Sequence, residues 1–509
     1  MFESLYTVVV GILDKIIWYT DVHSRVHKIF LAPQLGDFRV FLGRVRAVVV
    51  YRFALARVPA YRDFMSKKQY KGPRVTFRGA ELADIPEIDK ASYVKQYSLQ
   101  EKLVDGKIPT TGVMFDESSG SSGKPTSWVR GAKERRMTQR IMQVGYGHFI
   151  GRKNPIILNT FSMGAWATGF NTSTCLLGIG RVKSIGPDKT KVIDTLQELG
   201  PQFEYVILGY PPFLRQLTES DEIDWAKFKI NALYGGEGMS ESMRDYLLKY
   251  YKNVVGSYGA SDIEINIAHE TRFTIALRRA LAEDKELREQ LLKVHKGILP
   301  MVFQYNPYDY LFETNEKQEL LVTICRTYNL SPRIRYNIHD LGHSTEFYTL
   351  KKILITHGYR AIVDKADLDF GVLFHYGRSD LSVDYNGAVV GPEEIRQIIE
   401  NTVFSKRINT FRLVSYEDKS ARKHLLIAVE LTRNSQFSKM DQNVLLELII
   451  QQLQEVNLDF KSALRTAQLP PEMKVYRAGE GIFDAGHTKL KNDYIWNIDY
   501  KRAKAEGII

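Results

Sequence analysis

The segment that decides the fold runs from residue 205 to residue 262: "YVILGYPPFLRQLTESDEIDWAKFKINALYGGEGMSESMRDYLLKYYKNVVGSYGASD". Short apolar runs alternate in it with helical patterns: "YVILGYP", "INALYGGEG" and "NVVGSYGAS" are typical of strands, and "PPFLRQLTES" and "SESMRDYLLKYY" of helices. Strands that alternate with helices predict a parallel sheet with helical crossovers. Ligands of such sheets collect at the carboxyl ends of the strands. We therefore expect "GGEG" (235–238) and "YGASD" (258–262) to lie along one edge of the sheet.

The same rhythm begins earlier in the chain and changes near its end. "PIILNT" and "VKSIGP" indicate two more strands, and "DKTKVIDTLQELG" indicates a helix that ends at Gly200. Beyond "YGRSD" (376–380) we predict a helix over 391–403, a hairpin of "FRLVSY" and "HLLIAVEL", a helix from about Asp441 to Leu464 and a last strand, "MKVYRA". The predicted fold is α/β. A large N-terminal domain of packed sheets and helices takes residues 1–378, and a small α+β C-terminal domain takes residues 379–509.

Composition narrows the class of protein. Of the 509 residues 44% are apolar and 25% charged, as in an ordinary globular protein. The net charge of +11 favours anionic partners such as nucleotides or coenzymes, but it is spread along the chain without a Lys/Arg tract, which argues against nucleic acid. The two cysteines, Cys175 and Cys325, have no metal-ligand spacing. They predict buried thiols in a cytoplasmic protein.

The N-terminal residues 1–65 predict a helical, basic, amphipathic lead-in. The stretch from Phe38 to Met65 mixes apolar residues with six arginines: Arg39, Arg44, Arg46, Arg52, Arg57 and Arg62. We predict helices packed against the core with arginine on the solvent face, and a membrane-surface helix is the less favoured alternative. No run is long enough to span a bilayer, and no signal peptide is expected.

Three further segments carry residue types suited to nucleotide chemistry. "SSGSSGKPT" (118–126) supplies glycines, hydroxyls and a cation for a phosphate loop; it is not a Walker motif, and a flexible linker is the alternative. "RIRYNIHDLG" (333–342) supplies the carboxylate of Asp340, whose two acceptor oxygens suit ribose hydroxyls. "GRSD" (377–380) supplies Arg378, which could bind phosphate or ribose. Taken singly, the last two are better explained by an ordinary turn and an exposed loop arginine.

Together these motifs, in this order and spacing, resemble the adenylate-forming (AMP-binding) enzyme superfamily, and within it the phenylacetate–coenzyme A ligase branch. "VPAYRDFM" (58–65) and "IPEIDKASYV" (85–94) resemble the opening of that branch, and "GAVVGPEEIRQII" (387–399) resembles the start of its mobile C-terminal domain. The resemblance covers roughly residues 40 to 495. It implies an acid ligase that uses ATP, Mg²⁺ and coenzyme A.

The resemblance also implies roles for single residues around the nucleotide. The β and γ phosphates would be held by Ser119, Gly120, Ser121, Ser122, Gly123 and Lys124. Gly235, Gly236 and Glu237 would pass beside the adenine and the acyl pocket; Tyr258 would stack on the adenine, followed by Gly259, Ala260 and Ser261 in the same nucleotide-binding segment. Asp340 would bind the ribose hydroxyls and Arg378 the ribose–phosphate side.

Further roles fall on the metal, the hinge, the acyl pocket and the catalytic lysine. Asp262 stands where the family has a glutamate that binds Mg²⁺, and Asp380 would be the hinge of the small domain. Trp166 and Phe170 would line the acyl pocket and indicate an aryl or medium apolar acid; ordinary core aromatics are an equally good explanation of these two residues. Neither Lys489 nor Lys491 directly follows its glycine as the family pattern requires, so both are candidates for the catalytic lysine. Lys489 is the favoured one. Ile338 and His339 also depart from the pattern, since they replace the Thr-Gly usual before the ribose aspartate.

The resemblance leaves the acceptor open. The predicted partners are a small carboxylic acid, ATP and coenzyme A; a carrier-protein thiol or an amine is the alternative acceptor, and a homodimer is left open. A degenerate, non-catalytic acyl or nucleotide binder is the hypothesis from another class, motivated by "NIHD" and by the shifted lysine.

Overall fold

The computed structural model describes most of the chain. The described ranges are 31–76, 79–117, 126–150, 154–164, 167–236, 238–292, 299–378, 382–385, 388–417, 423–457, 469–484, 494–498 and 500–508, with residues 8, 12, 460, 461, 463 and 464 in addition. The statements below concern these residues.

The helices follow the apolar periodicity of the sequence. In chain order they are α1 (Gly36–Arg57), α2 (Pro59–Lys67), α3 (Ala132–Ile150), α4 (Ala167–Leu176), α5 (Lys189–Leu199), α6 (Pro211–Thr218), α7 (Glu241–Leu247), α8 (Arg272–Glu283), α9 (Lys285–Leu291), α10 (Phe347–Thr356), α11 (Arg360–Val363), α12 (Pro392–Glu400), α13 (Lys439–Val456) and α14 (Tyr500–Ala505). Proline in the first turn begins α2, α6 and α12, where its missing N–H has no intrahelical partner to lose.

The strands are short and numerous. They are β1 (Arg74–Thr76), β2 (Gly79–Glu81), β3 (Met114–Glu117), β4 (Ser127–Arg130), β5 (Ile156–Asn159), β6 (Arg181–Ser184), β7 (Glu204–Gly209), β8 (Lys229–Gly235), β9 (Asn253–Tyr258), β10 (Ala268–His269), β11 (Met301–Tyr305), β12 (Tyr310–Thr314), β13 (Glu319–Ile324), β14 (Tyr336–Thr345), β15 (Gly371–Arg378), β16 (Val383–Tyr385), β17 (Ala388–Val390), β18 (Ile408–Glu417), β19 (Lys423–Leu431), β20 (Glu472–Tyr476) and β21 (Ile495–Asn497).

Eleven of these strands form one mixed sheet in the order β12-β13-β14-β15-β11-β10-β9-β8-β7-β5-β6. The half from β6 to β9 is parallel, as the rhythm of the sequence predicts. Its central strand is buried along its apolar run, with Tyr205, Val206, Ile207 and Leu208 inaccessible to solvent, as is typical of a parallel strand covered on both faces. The half from β10 to β12 is antiparallel, and local periodicity did not predict it.

The edge predicted to carry the two glycine-containing motifs is confirmed. Gly235, the last residue of β8, pairs with Ser257, the residue before the end of β9. The residues that follow, Gly236 and 259–262, therefore leave the sheet side by side. This edge is where ligands of parallel sheets bind.

The C-terminal part forms a second, four-stranded sheet in the order β20-β19-β18-β21. The predicted hairpin is confirmed as β18 and β19, and "MKVYRA" is a strand, but it is not the last one. A further strand, Ile495–Asn497, pairs in parallel with β18. It was missed because three residues between polar neighbours are too short to show a period of two. The boundary at 378/379 stays a prediction.

The N-terminal helices pack against the large sheet, as predicted, but two of their arginines are not on the solvent face. Arg39 is only 1% exposed and forms an ion pair with Asp369. Arg46 lies 3.9 Å above the ring of Tyr308 and donates a 3.2 Å hydrogen bond to its carbonyl. The spacing of the arginines in the sequence does not show which of them contacts a buried carboxylate or an aromatic ring.

Two other expectations concern the cysteines and membrane-spanning helices. Cys175 and Cys325 are both buried thiols, and burial raises the pKa of each to about 12. None of the helices in the described ranges combines the length and the apolar character needed to cross a bilayer.

Candidate functional site

The hairpin of β3 and β4 brackets the predicted phosphate loop. Glu117 pairs with Ser127 in an antiparallel register, so residues 118–125 connect two paired strands rather than two domains. Those residues, which include Ser119, Gly120, Ser121, Ser122, Gly123 and Lys124, lie outside the described residues. Their flanking strands nevertheless fix where the loop leaves the structure and where it returns.

The base of this hairpin is tied to the turn after β9. The indole Nε1 of Trp128 donates a 3.2 Å hydrogen bond to Oδ1 of Asp262. The buried guanidinium of Arg130 donates to the carbonyls of Ser261 at 2.6 Å and Ile263 at 2.8 Å. The strand β4, which follows the predicted phosphate loop, is therefore tied to the predicted nucleotide-binding segment 258–262.

Two carboxylates keep Arg130 charged in the interior. Glu134 lies 2.8 Å and Asp116 3.4 Å from the guanidinium. Burial alone would lower the pKa of Arg130, but the two carboxylates outweigh it, and the pKa is raised. A guanidinium held in this way is a fixed donor for the two carbonyls of the turn.

Asp262, the predicted metal ligand, already holds a cation. Nζ of Lys90 lies 2.9 Å from its Oδ2, and the hydroxyl of Tyr336 donates to the same oxygen at 3.3 Å. No group of three or more His, Cys, Asp or Glu side chains that could hold a metal ion occurs among the described residues. In this arrangement Asp262 and its surroundings do not fit a resident metal.

Arg333 completes the support of this turn from the other side. Its Nε donates a 2.7 Å hydrogen bond to the carbonyl of Asp262, and its guanidinium lies 4.1 Å above the ring of Trp128. Burial, together with the nearby charge of Arg130, lowers the pKa of Arg333 to about 10. Lys90, Arg130 and Arg333 were not predicted as site residues, although Lys90 and Arg333 stand inside quoted motifs.

The predicted adenine and ribose residues are in direct contact. The hydroxyl of Tyr258 donates a 2.6 Å hydrogen bond to Oδ2 of Asp340. Both side chains are buried, with 7% and 4% of their surface exposed, and the Tyr258 ring stacks on Phe303 at 5.8 Å. Residues from β9 and β14 thus meet on one face of the sheet.

Two further predicted site positions are Gly236, directly after β8, and Arg378, the last residue of β15; these strands neighbour β9 and β14 of this pair. Gly236 has a φ of +83°, a left-handed conformation that glycine adopts without strain, and Glu237 after it lies outside the described residues. Arg378 lies directly opposite Asp340 in the register of β14 and β15, while the predicted hinge, Asp380, is outside the described residues. The backbone therefore brings together the predicted ribose positions 340 and 378.

His339 stands where the resembled family has the glycine of its Thr-Gly pair. Its φ is +63°, so a histidine adopts the left-handed conformation that normally favours glycine, at a cost of about 1–3 kcal/mol. Its N–H donates a 2.8 Å hydrogen bond to Asn337, and its Nδ1 lies 3.1 Å from a carboxylate oxygen of Glu319. These contacts hold the backbone shape without the glycine.

Of the predicted acyl-pocket and lysine residues, Phe170 alone lies within the described residues. Phe170 is half exposed, at 51%, and Trp166 lies outside the described residues. Ala167 and Asn171, on the same helix as Phe170, line a small cavity with Arg130 and Glu264, and Phe170 does not line it. Lys489 and Lys491 also lie outside the described residues.

The small C-terminal unit contacts the same edge of the large sheet. Nη1 of Arg396, on α12, donates a 3.3 Å hydrogen bond to the carbonyl of Gly238. The side-chain amide of Gln397 exchanges hydrogen bonds with the backbone of Leu299, at 3.0 and 3.3 Å. The helix α12 therefore rests against the end of the "GGEG" segment.

Comparisons with known proteins identify the fold. No protein-family model matches the sequence, and no curated protein matches it. Among solved structures, 2-hydroxyisobutyryl-CoA ligase in the postadenylation state with 2-HIB-AMP superposes with a TM-score of 0.61 at 14% identity, over 92% of this chain and 90% of that chain. The same ligase with R3-HIB-AMP gives 0.60 over the same shares at 14% identity, and its open conformation with 2-HIB-AMP and CoA gives 0.50 at 14% identity, over 89% of this chain and 90% of that one. The chain has the fold of this CoA ligase along nearly its whole length.

Proposed function

We propose that the protein is an ATP-dependent, AMP-forming acid ligase that adenylates a carboxylic acid and transfers the acyl group to coenzyme A. The observation that carries the proposal is the hydrogen bond between Tyr258 and Asp340, two residues assigned to adenine and ribose from separate motifs. The CoA-ligase fold supports it, because it covers 92% of the chain and so includes both motifs.

The first half-reaction forms an acyl-adenylate. A carboxylate oxygen of the acid attacks the α-phosphorus of ATP, the bond from that phosphorus to the bridging oxygen of the β-phosphate breaks, and pyrophosphate leaves with the electron pair. Tyr258 would stack on the adenine, and Asp340 would accept from the ribose hydroxyls. The loop of Ser119 to Lys124 would donate to the β and γ phosphates, and Lys489, or else Lys491, would stabilise the developing charge at the α-phosphate.

The second half-reaction forms the thioester. The sulfur of coenzyme A attacks the acyl carbon, AMP leaves with the electron pair of the broken carbon–oxygen bond, and the thiol proton passes to solvent or to a base. The small C-terminal domain would turn about Asp380 between the two half-reactions. The contact of Arg396 with Gly238 would have to break in that turn.

Asp262 is assigned a different role from the one its family position implies. Because its carboxylate pairs with Lys90 and accepts from Trp128, it would fix the turn between the phosphate loop and Tyr258. The ATP-bound magnesium ion remains a prediction.

The acceptor and the acid are the finer parts of the proposal. An aryl or medium apolar acid is proposed from the sequence of residues 161–170 alone, because Phe170 is half exposed in the structure. A carrier-protein thiol or an amine is the alternative acceptor. The position that motivates the degenerate, non-catalytic hypothesis, His339, has a φ of +63°, a conformation that a glycine adopts without strain.

The proposal is tested by pyrophosphate release from ATP with a panel of aryl and fatty acids, with and without coenzyme A. We expect release that depends on one class of acid, and Asp340→Asn should reduce it while Asp245→Asn, in an exposed ion pair with Arg279, should not. Tight ATP binding without acid-dependent release for any acid would contradict catalysis and favour a nucleotide binder. Product mass with each acceptor distinguishes a thioester from an amide.

A further inference from the structure

His375 lies against both residues of the predicted nucleoside site, although no motif pointed to it. Its Nε2 is 3.1 Å from Oδ2 of Asp340, and its ring centroid is 4.8 Å from that of Tyr258. It also lines a cavity together with Gly238, Gly377 and Arg396. This cavity lies between the glycine-rich segment and the helix α12.

A bulge in β15 brings His375 to this place. Asp340 pairs with Arg378 and Leu341 with Gly377, but Gly342 then pairs with His375, so Tyr376 is one extra residue in β15. Positions 340 and 342 are two apart and share a face of the sheet. The residues opposite them, 375 and 378, are three apart in the sequence. A β-bulge beside a site commonly re-aims a side chain in this way.

The Nε2 atom of His375 lies close to Asp340 but is not aligned for a hydrogen bond with it. Among the described residues the buried Nε2 atom has no aligned hydrogen-bond partner, although Oδ2 of Asp340 lies within 3.1 Å. The same oxygen accepts from the hydroxyl of Tyr258. A small rotation of either side chain would let Tyr258 and His375 hold one oxygen of the carboxylate together. The orientation of Asp340 would then be fixed from two sides.

We propose that His375 is a positioning residue for the ribose end of the nucleotide site. It acts through Asp340: by holding Oδ2 it sets the angle at which the carboxylate meets the two ribose hydroxyls. This inference rests on the proposed function, since it takes the ligand to be a nucleotide bound through its ribose.

The test is direct binding of ATP and of 2′,3′-dideoxy-ATP by calorimetry, with His375→Gln and His375→Phe. Gln places an amide nitrogen near the position of Nε2, whereas Phe keeps the ring and removes the nitrogen. We expect Phe to weaken ATP binding about tenfold and Gln to stay within about threefold of the parent, as for one hydrogen bond to a charged group. Dideoxy-ATP should bind the parent and the Phe variant equally. His357→Gln, at the end of α10, is the matched control and should change nothing.

A double-mutant cycle decides whether His375 acts through Asp340. In an Asp340→Asn background, His375→Phe should weaken ATP binding by less than twofold, because the group it positions is gone. Additive effects would contradict the proposal, and so would a Phe variant that binds ATP as tightly as the parent. His375→Ala repeats the cycle if the Phe variant has a lower melting temperature. A parent protein that does not bind ATP at all would instead overturn the proposed function, and this inference with it.

Discussion

The hydroxyl of Tyr258 donates a 2.6 Å hydrogen bond to the carboxylate of Asp340, across 82 residues of sequence. The two residues come from β9 and β14, which are separated in the sheet by β10, β11 and β15. Each was assigned to a nucleoside from its own motif. Their contact brings the two predicted nucleoside residues together, and their assignment to a nucleotide stays a prediction.

Tyr258→Phe removes this hydrogen bond and keeps the ring that would stack on adenine. We expect the affinity for ATP to fall about tenfold, which corresponds to the lower end of the ~1.5–3 kcal/mol that a hydrogen bond to a charged group contributes, because the stacking remains. The measurement is ATP binding by calorimetry, with Tyr359→Phe, a tyrosine bonded to Asp284 away from the site, as control. Unchanged ATP affinity in Tyr258→Phe would contradict the assignment of this pair to the nucleoside.

The ion pair of Lys90 with Asp262 predicts that no metal ion binds at Asp262 in the absence of nucleotide. Terbium bound at Asp262 would be sensitised by Trp128, whose Nε1 lies 3.2 Å from the carboxylate. We expect no Asp262-dependent luminescence in the parent, because the ammonium of Lys90 occupies the carboxylate at 2.9 Å. Lys90→Gln should produce a signal, and the added change Asp262→Asn should remove it. A parent signal that disappears in Asp262→Asn would restore Asp262 as a resident metal ligand.

Arg130→Met should destabilise the protein strongly. It leaves the carboxylates of Asp116 and Glu134 buried without their cation, and breaking a buried ion pair from one side costs about 3–5 kcal/mol. Arg57→Met, in the half-exposed pair with Asp105, is the matched control and should change the free energy of unfolding by less than about 1 kcal/mol. Denaturant titration measures both. Equal effects of the two variants would show that the Arg130 cluster does not hold the turn.

The parallel half of the sheet could be predicted from sequence, and the antiparallel half could not. The crossover helices α5, α6 and α7 show their period within a dozen residues, whereas α4, between β5 and β6, was not predicted. The order of β10 to β15 depends on contacts between distant segments. The same limit applies within the site. Strict alternation along β15 would place residues 375 and 378 on opposite faces, and only the bulge at Tyr376 aligns both with the face of Asp340. Lys90 reaches Asp262 because Ile88 forms a bridge to Tyr336, and a pattern along one segment contains no signal for such a bridge.

Glu400 predicts a pH dependence at the contact of the two units. Burial raises the pKa of its carboxyl, partly offset by Arg396, so the neutral form is favoured while α12 is docked. The stabilisation is complete below the ordinary glutamate pKa and is lost as the pH rises through the raised value. We expect hydrogen exchange of α12, corrected for its intrinsic rate, to speed up with rising pH, and Glu400→Gln to flatten the profile.

A second buried glutamate on α12, Glu394, could cause a similar pH dependence and has to be distinguished from Glu400. Burial also raises the pKa of Glu394, which accepts from the N–H of Gly391 at 2.6 Å and from Asn457 at 2.9 Å, within the small unit. Glu394→Gln therefore serves as the control for Glu400→Gln. If Glu394→Gln flattens the profile and Glu400→Gln does not, the pH dependence belongs to the interior of the small unit and not to its docking.

The formation of an acyl-adenylate is tested most directly by following oxygen from the acid to AMP. The acid that supports pyrophosphate release is labelled with ¹⁸O in both carboxylate oxygens and incubated with ATP and coenzyme A, and the AMP is analysed by mass spectrometry. Attack of the carboxylate on the α-phosphorus predicts AMP that carries one ¹⁸O atom for each thioester formed. Unlabelled AMP, or label found in orthophosphate or pyrophosphate, would contradict an acyl-adenylate intermediate.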